Sequence, residues 1–421
     1  MRILIVCSNL CFGGAERVAA NLANGFNCHG HNVVVVTNLF EKVNYSLQEG
    51  ILLESLVATN KNKLRKWGSS LYLLRKQIKK HRPDIIIGIM PTCSLIAKIA
   101  TIGLHIPIIA TEHNSFERPE NAPLSKAEKF SKLYLNKLYE HITVLTEADR
   151  KFIGNSLKNI TVMPNPLYLK PIKEKQLKDK IVLAAGRVDG WYVKGFDLLL
   201  QAWKNLQMTN INNNDVLREW WLNIAGAGKK ESFEYLMNLL PDGEWVFNDN
   251  DNENDDDNCI NTKYTKEKNT STEKNDSRKS GVWRSEKYHI EFLGYQKNME
   301  LLYRNSEIFV LSSRYEGFGL VLIEAMSQGC ACVACDYKGR QHEIISPTPT
   351  LSRKEGDIEV CANGILCDSD NLEALTSALK KMIEDDVYRE SVKLHAIDRS
   401  KYYRIENVIA IWEDLLRKVV G

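Results

Sequence analysis

Short apolar, β-prone runs alternate with stretches of helical spacing along the first 165 residues. The runs at 3–7, 31–37, 84–89, 106–111, 141–145 and 160–163 read as strands. Strands alternating with helices predict right-handed βαβ units wound into a doubly wound sheet. The rhythm restarts at 181–185, continues through 221–225, 290–293 and 308–311, and ends with 331–334 and 364–366. Two Rossmann-like units in tandem are the simplest account.

Between them, Pro164-Asn165-Pro166 and the Lys-rich 170–180 stretch break regular structure and mark a linker over 166–180. The expected division is therefore 1–165, the linker, 181–400 and a last helix over 401–421. That helix is amphipathic, with Ile405, Val408, Ile409, Trp412, Leu415 and Leu416 on one side. Residues 248–280 belong to neither sheet. They are nearly devoid of apolar residues, rich in Asn, Asp, Lys, Thr and Ser, and open on an acidic run, so they are expected to be disordered. The Gly and terminal Glu that a calcium loop needs are missing from the required places.

The 421 residues suit two α/β units. No stretch of about 18 uncharged apolar residues is present, and residues 1–7 are too short for a signal peptide, so the expectation is a cytoplasmic, soluble or peripheral protein. Ten cysteines lack zinc-finger or ribbon spacing, and disulfides are not expected. Cys330, Cys332 and Cys335 read as buried thiols of a strand rather than a metal half-site.

The net charge of +3 conceals an asymmetry: residues 1–170 hold 22 Lys and Arg against 12 Asp and Glu. Nine of these basic residues fall between Lys61 and Arg82, with no acid among them. Leu64, Trp67, Leu71, Leu74 and Ile78 recur there at helical spacing, giving a basic amphipathic helix. Such a helix either lies on an anionic membrane surface or is packed with a solvated basic face; both readings stay open. No nucleic-acid partner is expected.

The chemistry concentrates in Ser312-Ser313-Arg314-Tyr315-Glu316-Gly317-Phe318-Gly319-Leu320 and the helical stretch that follows to Met326. Two carboxylates, Glu316 and Glu324, stand eight positions apart across a Gly-rich turn after a buried strand. Ligands of open parallel sheets bind outside the carboxyl ends of strands, and paired acids there can accept hydroxyl hydrogen bonds from a sugar and a ribose. Arg187 and Lys194, seven apart in the loop after the 181–185 strand, can grip a diphosphate and do a metal's electrostatic work. Gly13-Gly14 follows the first strand and opens a helix, offering backbone N–H groups and a positive dipole end. His113, in Thr111-Glu112-His113-Asn114, ends the 106–111 strand.

This set, spread in order over almost the whole chain, resembles the retaining glycosyltransferases of family four, whose EX7E motif Glu316 and Glu324 match. The resemblance implies a GT-B fold, two Rossmann-like domains facing a cleft, with the last helix crossing back to the first domain. It implies that His113 contacts the donor sugar near the reacting centre and Glu316 binds that sugar, both counted as catalytic. Donor binding falls to Gly13, Gly14, Arg187, Lys194, Gly317, Phe318, Gly319, Leu320 and Glu324, the last on the ribose. The activity implied is metal-independent, retaining transfer of a hexose or N-acetylhexosamine from a UDP-sugar, with no cofactor, to a polyprenyl-diphosphate-linked saccharide in surface polysaccharide biosynthesis at the inner face of the plasma membrane. One departure stands out: Gly339-Arg340-Gln341-His342-Glu343 occupies the place of the Gly-Pro-Glu turn of many relatives. The alternatives are an inactive nucleotide-sugar-binding scaffold and, from the Rossmann rhythm alone, an NAD-type oxidoreductase; the latter lacks Gly-x-Gly-x-x-Gly after the first strand.

Overall fold

The computed structural model describes residues 1–421 except 12, 38–44, 57–62, 121, 174–175, 210–214, 241–243, 248–280 and 347–351. The segment expected to be disordered, 248–280, lies outside the described residues.

The chain forms two compact units. The first comprises Met1–Tyr168, Glu316–Leu320 and Tyr402–Gly421, and the second Leu169–Tyr315 and Val321–Lys401. The loop 316–320, expected in the second unit, is therefore counted with the first, and 169–180 with the second. Lys178 explains the second assignment: its buried ammonium donates to the carbonyls of Tyr303 (2.7 Å), Arg304 (2.9 Å) and Ser306 (3.1 Å), so this stretch is pinned to its own unit.

The first unit is built on β1 (Arg2–Cys7), β2 (Asn32–Thr37), β3 (Leu52–Ser55), β4 (Ile85–Ile89), β5 (Ile108–Thr111), β6 (His141–Val144) and β7 (Ile160–Val162). They form one parallel sheet in the order β3-β2-β1-β4-β5-β6-β7. Six of these strands are apolar runs visible in the sequence; β3 is not, because an edge strand half exposed to water needs no apolar run.

The second unit carries β8 (Asp179–Ala185), β9 (Trp221–Ala225), β10 (Glu244–Phe247), β11 (Gly281–Ser285), β12 (Ile290–Gly294), β13 (Ser306–Leu311), β14 (Ala331–Asp336), β15 (Ser352–Glu355), β16 (Ile358–Cys361) and β17 (Gly364–Asp368). Their order is β10-β11-β12-β9-β8-β13-β14-β17-β16-β15. The middle is parallel as expected. Both edges are antiparallel hairpins, β10-β11 and β15-β16, which the strand-helix rhythm did not predict. The nine described cysteines are free thiols, and all but Cys28 are buried. No helix among the described residues is long and apolar enough to cross a membrane.

Helix Lys63–His81 buries Leu74 and Ile78 in the first unit's core. The apolar face of the basic helix is thus spent on the protein, at least over its described side chains. Arg75 donates to the carbonyls of Ala100 (2.7 Å) and Ile102 (2.9 Å), and Lys80 pairs with Glu54 (2.7 Å). Over these described side chains the helix packs on its own unit with its basic face outward.

The terminal helix Ile405–Val420 buries Val408, Ile409, Trp412, Leu415 and Leu416 in the same core as helix Gly14–Cys28. Gly25 makes the approach feasible: a Cβ there would stand 2.6 Å from Cγ1 and 2.7 Å from Cδ1 of Ile409. Trp412 meets Phe26 edge-on, with centroids 6.0 Å apart. Gly25→Val should destabilise the protein by ~1–3 kcal/mol through overpacking. Combining it with Ile409→Ala should recover part of that loss in a double-mutant cycle read by urea unfolding; strict additivity would show that the two residues do not share this contact.

Candidate functional site

In each sheet the chain reverses its winding beside one central strand: β1 lies between β2 and β4, and β8 between β9 and β13. Loops at the carboxyl ends there diverge and leave a crevice suited to a ligand. The candidate residues follow these strands.

In the first unit, Gly13 (φ 127°) precedes helix Gly14–Cys28, whose N-terminus has no side-chain cap. Both glycines are exposed. Glu16 lies over this turn, its carboxylate accepting a hydrogen bond from Ser8 Oγ (3.1 Å). The Gly13 carbonyl accepts from Tyr45 Oη (3.2 Å) and the Arg17 amide (3.1 Å), which fixes the turn. After β4, Met90 takes φ 73°, a conformation rare outside glycine, before Pro91 starts helix Pro91–Ala100. Ser94 Oγ bonds the carbonyls of Gly88 and Met90, both at 3.0 Å, and holds that strained junction.

His113 follows β5. The Thr111 hydroxyl donates to the Gly88 carbonyl (3.1 Å), so toward His113 Nε2, at 2.9 Å, it accepts. On that pairing His113 is the Nε2–H tautomer; among the described residues no hydrogen bond to its buried Nδ1 meets full geometry, while the Asn165 side chain lies within reach of the ring. Burial lowers its pKa to about 4; the neighbouring Asn165 offsets part of this and the charge of Lys132 adds to it. The imidazole is neutral at physiological pH.

A buried ion pair holds the loop. Glu112 accepts from Lys132 Nζ (2.8 Å) and Asn136 Nδ2 (2.8 Å), and Lys132 also donates to the Asn114 carbonyl (3.0 Å) and sits 3.8 Å above the Phe116 ring. Asp149 receives the Phe116 amide at 2.8 Å. The structure brings His113 together with Gly317: a Cβ at 317 would collide with the His113 carbonyl oxygen. Phe318 is buried edge-on against Tyr403 (5.6 Å), Gly319 takes φ 90°, and Leu320 starts helix Leu320–Ser327. Glu316 is half-buried at the head of this loop.

In the second unit, β8 runs into Gly186 and the exposed Arg187, and helix Trp191–Lys194 ends on Gly195 in the left-handed conformation (φ 63°). The aliphatic part of Lys194 lies on Gly186, with Cδ 3.1 Å from where a Cβ would be. A Cβ at Gly195 would overlap the Ser312 carbonyl, and one at Gly226 the Gly186 carbonyl. Arg314 ties these loops together. Its guanidinium bonds both carboxylate oxygens of Asp197 (2.7 and 3.0 Å), Asp370 (2.7 Å) and the Tyr192 carbonyl (2.7 Å), and stacks over the Tyr192 ring. The Arg314 amide donates to Val193 O (2.8 Å) and Ser312 Oγ to Lys194 O (2.8 Å). Glu324 is buried and accepts from Tyr303 Oη (3.0 Å), so one oxygen of the expected ribose ligand is already engaged.

In the 336–343 loop, Asp336 accepts the amides of Gly339 (2.9 Å), Gln341 (2.7 Å) and His342 (3.1 Å), and Arg340 is fully buried, with Nη1 on the Tyr337 carbonyl (3.2 Å). The departure from the Gly-Pro-Glu pattern is thus a self-contained turn built on Asp336 and Arg340. Arg340 stood out in the sequence only as a departure, and Asp336, Arg314, Asp197, Asp370, Lys132 and Asn136 were given no role there; their partners lie 3 to 122 positions away, and only the adjacency of Arg314 to the motif hinted at one.

Residues 12–170 match the family model described as Glycosyltransferase Family 4, and residues 277–399 that described as Glycosyl transferases group 1. An amylovoran biosynthesis glycosyltransferase of Erwinia amylovora is 26% identical, with 96% of each chain covered. A GalNAc-α-(1→4)-GalNAc-α-(1→3)-diNAcBac-PP-undecaprenol α-1,4-N-acetyl-D-galactosaminyltransferase of Campylobacter jejuni is 22% identical over 100% of this chain and 99% of that one. Among solved structures, sucrose-phosphate synthase from Thermosynechococcus elongatus superposes with a TM-score of 0.71 at 14% identity, covering 99% of this chain and 98% of that one. Anabaena HepE, solved with UDP and glucose, gives 0.70 at 15% identity, covering 99% and 100%. The two units are the Rossmann-like domains of a GT-B fold, and the chain is a glycosyltransferase.

Gly317→Ala should slow glycosyl transfer about tenfold or more, since a displacement costing ~1.4 kcal/mol in the transition state has that effect; steady-state kinetics beside a circular-dichroism melt would separate this from unfolding. His113 makes a second prediction. Its folded pKa lies below the unfolded value near 6.5, so the unfolded chain binds more protons between the two, and stability present above pH ~6.5 is lost as pH falls toward 4. Chemical denaturation at pH 7 and pH 5 should show a smaller acid loss in His113→Gln than in the parent protein; equal losses would contradict the buried neutral imidazole.

Proposed function

We propose that the protein is a retaining, metal-independent glycosyltransferase of family four. It transfers a hexose or N-acetylhexosamine from a UDP-sugar to a polyprenyl-diphosphate-linked saccharide in surface polysaccharide biosynthesis, working at the cytoplasmic face of the plasma membrane. The observation that carries the reading is the Arg187–Lys194 loop after β8, held by Arg314, which places two cations at the carboxyl end of that strand, with Arg187 exposed. Charge grows on the departing diphosphate, and these cations stabilise it. The Gly13-Gly14 turn contributes the amides of an uncapped helix N-terminus.

His113 acts as a neutral acceptor: its Nδ1 lone pair takes a hydrogen bond from a donor-sugar hydroxyl. Glu316 binds further sugar hydroxyls and faces the positive charge that develops at the anomeric carbon, while the amides of Gly317, Phe318, Gly319 and Leu320 take donor oxygens. Glu324, with one oxygen on Tyr303, uses its remaining acceptor capacity for the ribose. The departing phosphate oxygen takes the acceptor's proton on the face where the new bond forms, and the anomeric configuration is kept. The donor and acceptor classes draw support from Anabaena HepE, solved with UDP-glucose, and from the Campylobacter jejuni enzyme with its undecaprenol-diphosphate acceptor.

The test is thermal unfolding against a panel of nucleoside diphosphate sugars with and without EDTA. UDP and one UDP-sugar should stabilise the protein equally in both conditions. Arg187→Ala and Lys194→Ala should each weaken binding about tenfold to a hundredfold, the loss of a charged hydrogen bond worth ~1.5–3 kcal/mol. Protection that vanishes with EDTA, or that survives both substitutions unchanged, would sink the assignment.

A further inference from the structure

The last strand of the first sheet leads into Pro164-Asn165-Pro166-Leu167, and this stretch is tied at one point to the start of the terminal helix. The Leu167 amide donates to the Tyr403 carbonyl at 2.7 Å, and Leu167 forms an isolated parallel bridge with Arg404. Leu167 and Tyr403 are both buried. The prolines on either side of Asn165 narrow its backbone freedom, so the bond made by Leu167, two residues on, fixes where Asn165 stands. Asn165 is 8% exposed, and its side chain lies within reach of the His113 ring. From the other side the Tyr403 ring is met edge-on by Phe318, with centroids 5.6 Å apart and planes at 77°. Phe318, 5% exposed, is the one bulky side chain between Glu316 and Leu320, because its neighbours are Gly317 and Gly319. Glycine leaves a loop its widest conformational freedom, so the Phe318 ring is what anchors this one. Gly317 in turn rests against the His113 carbonyl. The contacts close a circuit, from His113 through Asn165 and Leu167 to Tyr403, and back through Phe318 and Gly317 to His113.

We propose that Tyr403 is a positioning residue of the reaction: its carbonyl sets the segment whose Asn165 lies against the candidate catalytic imidazole, and its ring sets the loop that carries Glu316. The inference rests on the roles given above to His113 and Glu316, and all of these residues belong to the first unit. An edge-to-face aromatic pair favours one approach of ring to ring, so it holds an angle as well as a distance. The terminal helix has its own anchorage in Val408, Ile409, Trp412, Leu415 and Leu416, which leaves Tyr403 to the two loops. The Phe318 ring packs on Tyr403, while its amide keeps the donor-facing role proposed above. A residue that acts by holding loops at their working angle is felt in turnover more than in binding when it is lost.

The experiment uses the full-length protein and two readouts. The first needs no ligand: nitrogen-15 NMR of the histidine rings, with the His113 signals assigned by their loss in His113→Gln. These signals should shift in Tyr403→Leu and in Phe318→Leu, and return to the parent positions in Tyr403→Phe, which keeps the ring. Val408→Ala, which loosens the terminal helix without touching these contacts, should lower the melting temperature and leave the His113 signals in place. The second readout is UDP release from UDP-glucose and from UDP-N-acetylglucosamine. Tyr403→Leu should lower kcat about tenfold with KM unchanged, Tyr403→Phe should restore it, and Tyr403→Leu combined with Phe318→Leu should lose no more than the worse single variant, because the two residues act as one unit. Absence of UDP release by the parent protein would count against the donor reading, and the ring signals would still decide on Tyr403. The proposal is overturned if the His113 signals stay in place in both leucine variants, if Val408→Ala moves them as far, or if Tyr403→Phe is as impaired as Tyr403→Leu.

Discussion

Arg314 is the interaction on which the candidate donor loops of the second unit depend. A guanidinium this deeply buried is tolerable only when its donors are paired. Here they are paired with groups from three separate loops: Asp197 at the head of one helix, Asp370 after β17, and the Tyr192 carbonyl in the turn that ends at Lys194. Two carboxylates hold the guanidinium firmly charged, raising its pKa further above the usual arginine value despite burial. Removing either acid would leave part of that charge uncompensated, so the network is all or nothing. The Lys194 loop inherits its position from it.

Glycine is the second half of the same constraint. Gly186, Gly195 and Gly226 allow carbonyls and the Lys194 stem to pass where a methyl group would collide. Backbone this close at the carboxyl ends of β8, β9 and β13 leaves room for a ligand only because side chains are absent there. The first unit uses the same device at Gly317, which lets the 316–320 loop rest on the His113 carbonyl.

The first unit also has a charge network of its own, in Glu112, Lys132 and Asn136. It differs in purpose from Arg314. It orders the histidine loop while forcing a short helix to turn its polar side inward and its apolar side to water.

What was legible in the residues was periodic or local. Continuous apolar runs placed twelve parallel-sheet strands, helical spacing placed the terminal helix, and motif residues next to strand ends pointed to Gly13, His113, Arg187, Lys194, Glu316 and Glu324. Strands β3, β10, β11, β15 and β16, at or next to the sheet edges, were not legible, because a strand with one face or edge in water carries no uniform apolar signature. Nor was the protonation of His113, which depends on Thr111, Asn165 and Lys132 converging around it. The basic stretch 61–82 left a membrane face and a packed helix both open, and its Leu74 and Ile78 turn inward, whereas the inverted polarity of 126–138 has no signal in the sequence. Amphipathicity tells a chain that a helix has two faces; only the partner supplied by distant residues, here Glu112 for Lys132 and the core for Leu74, decides which of them meets water.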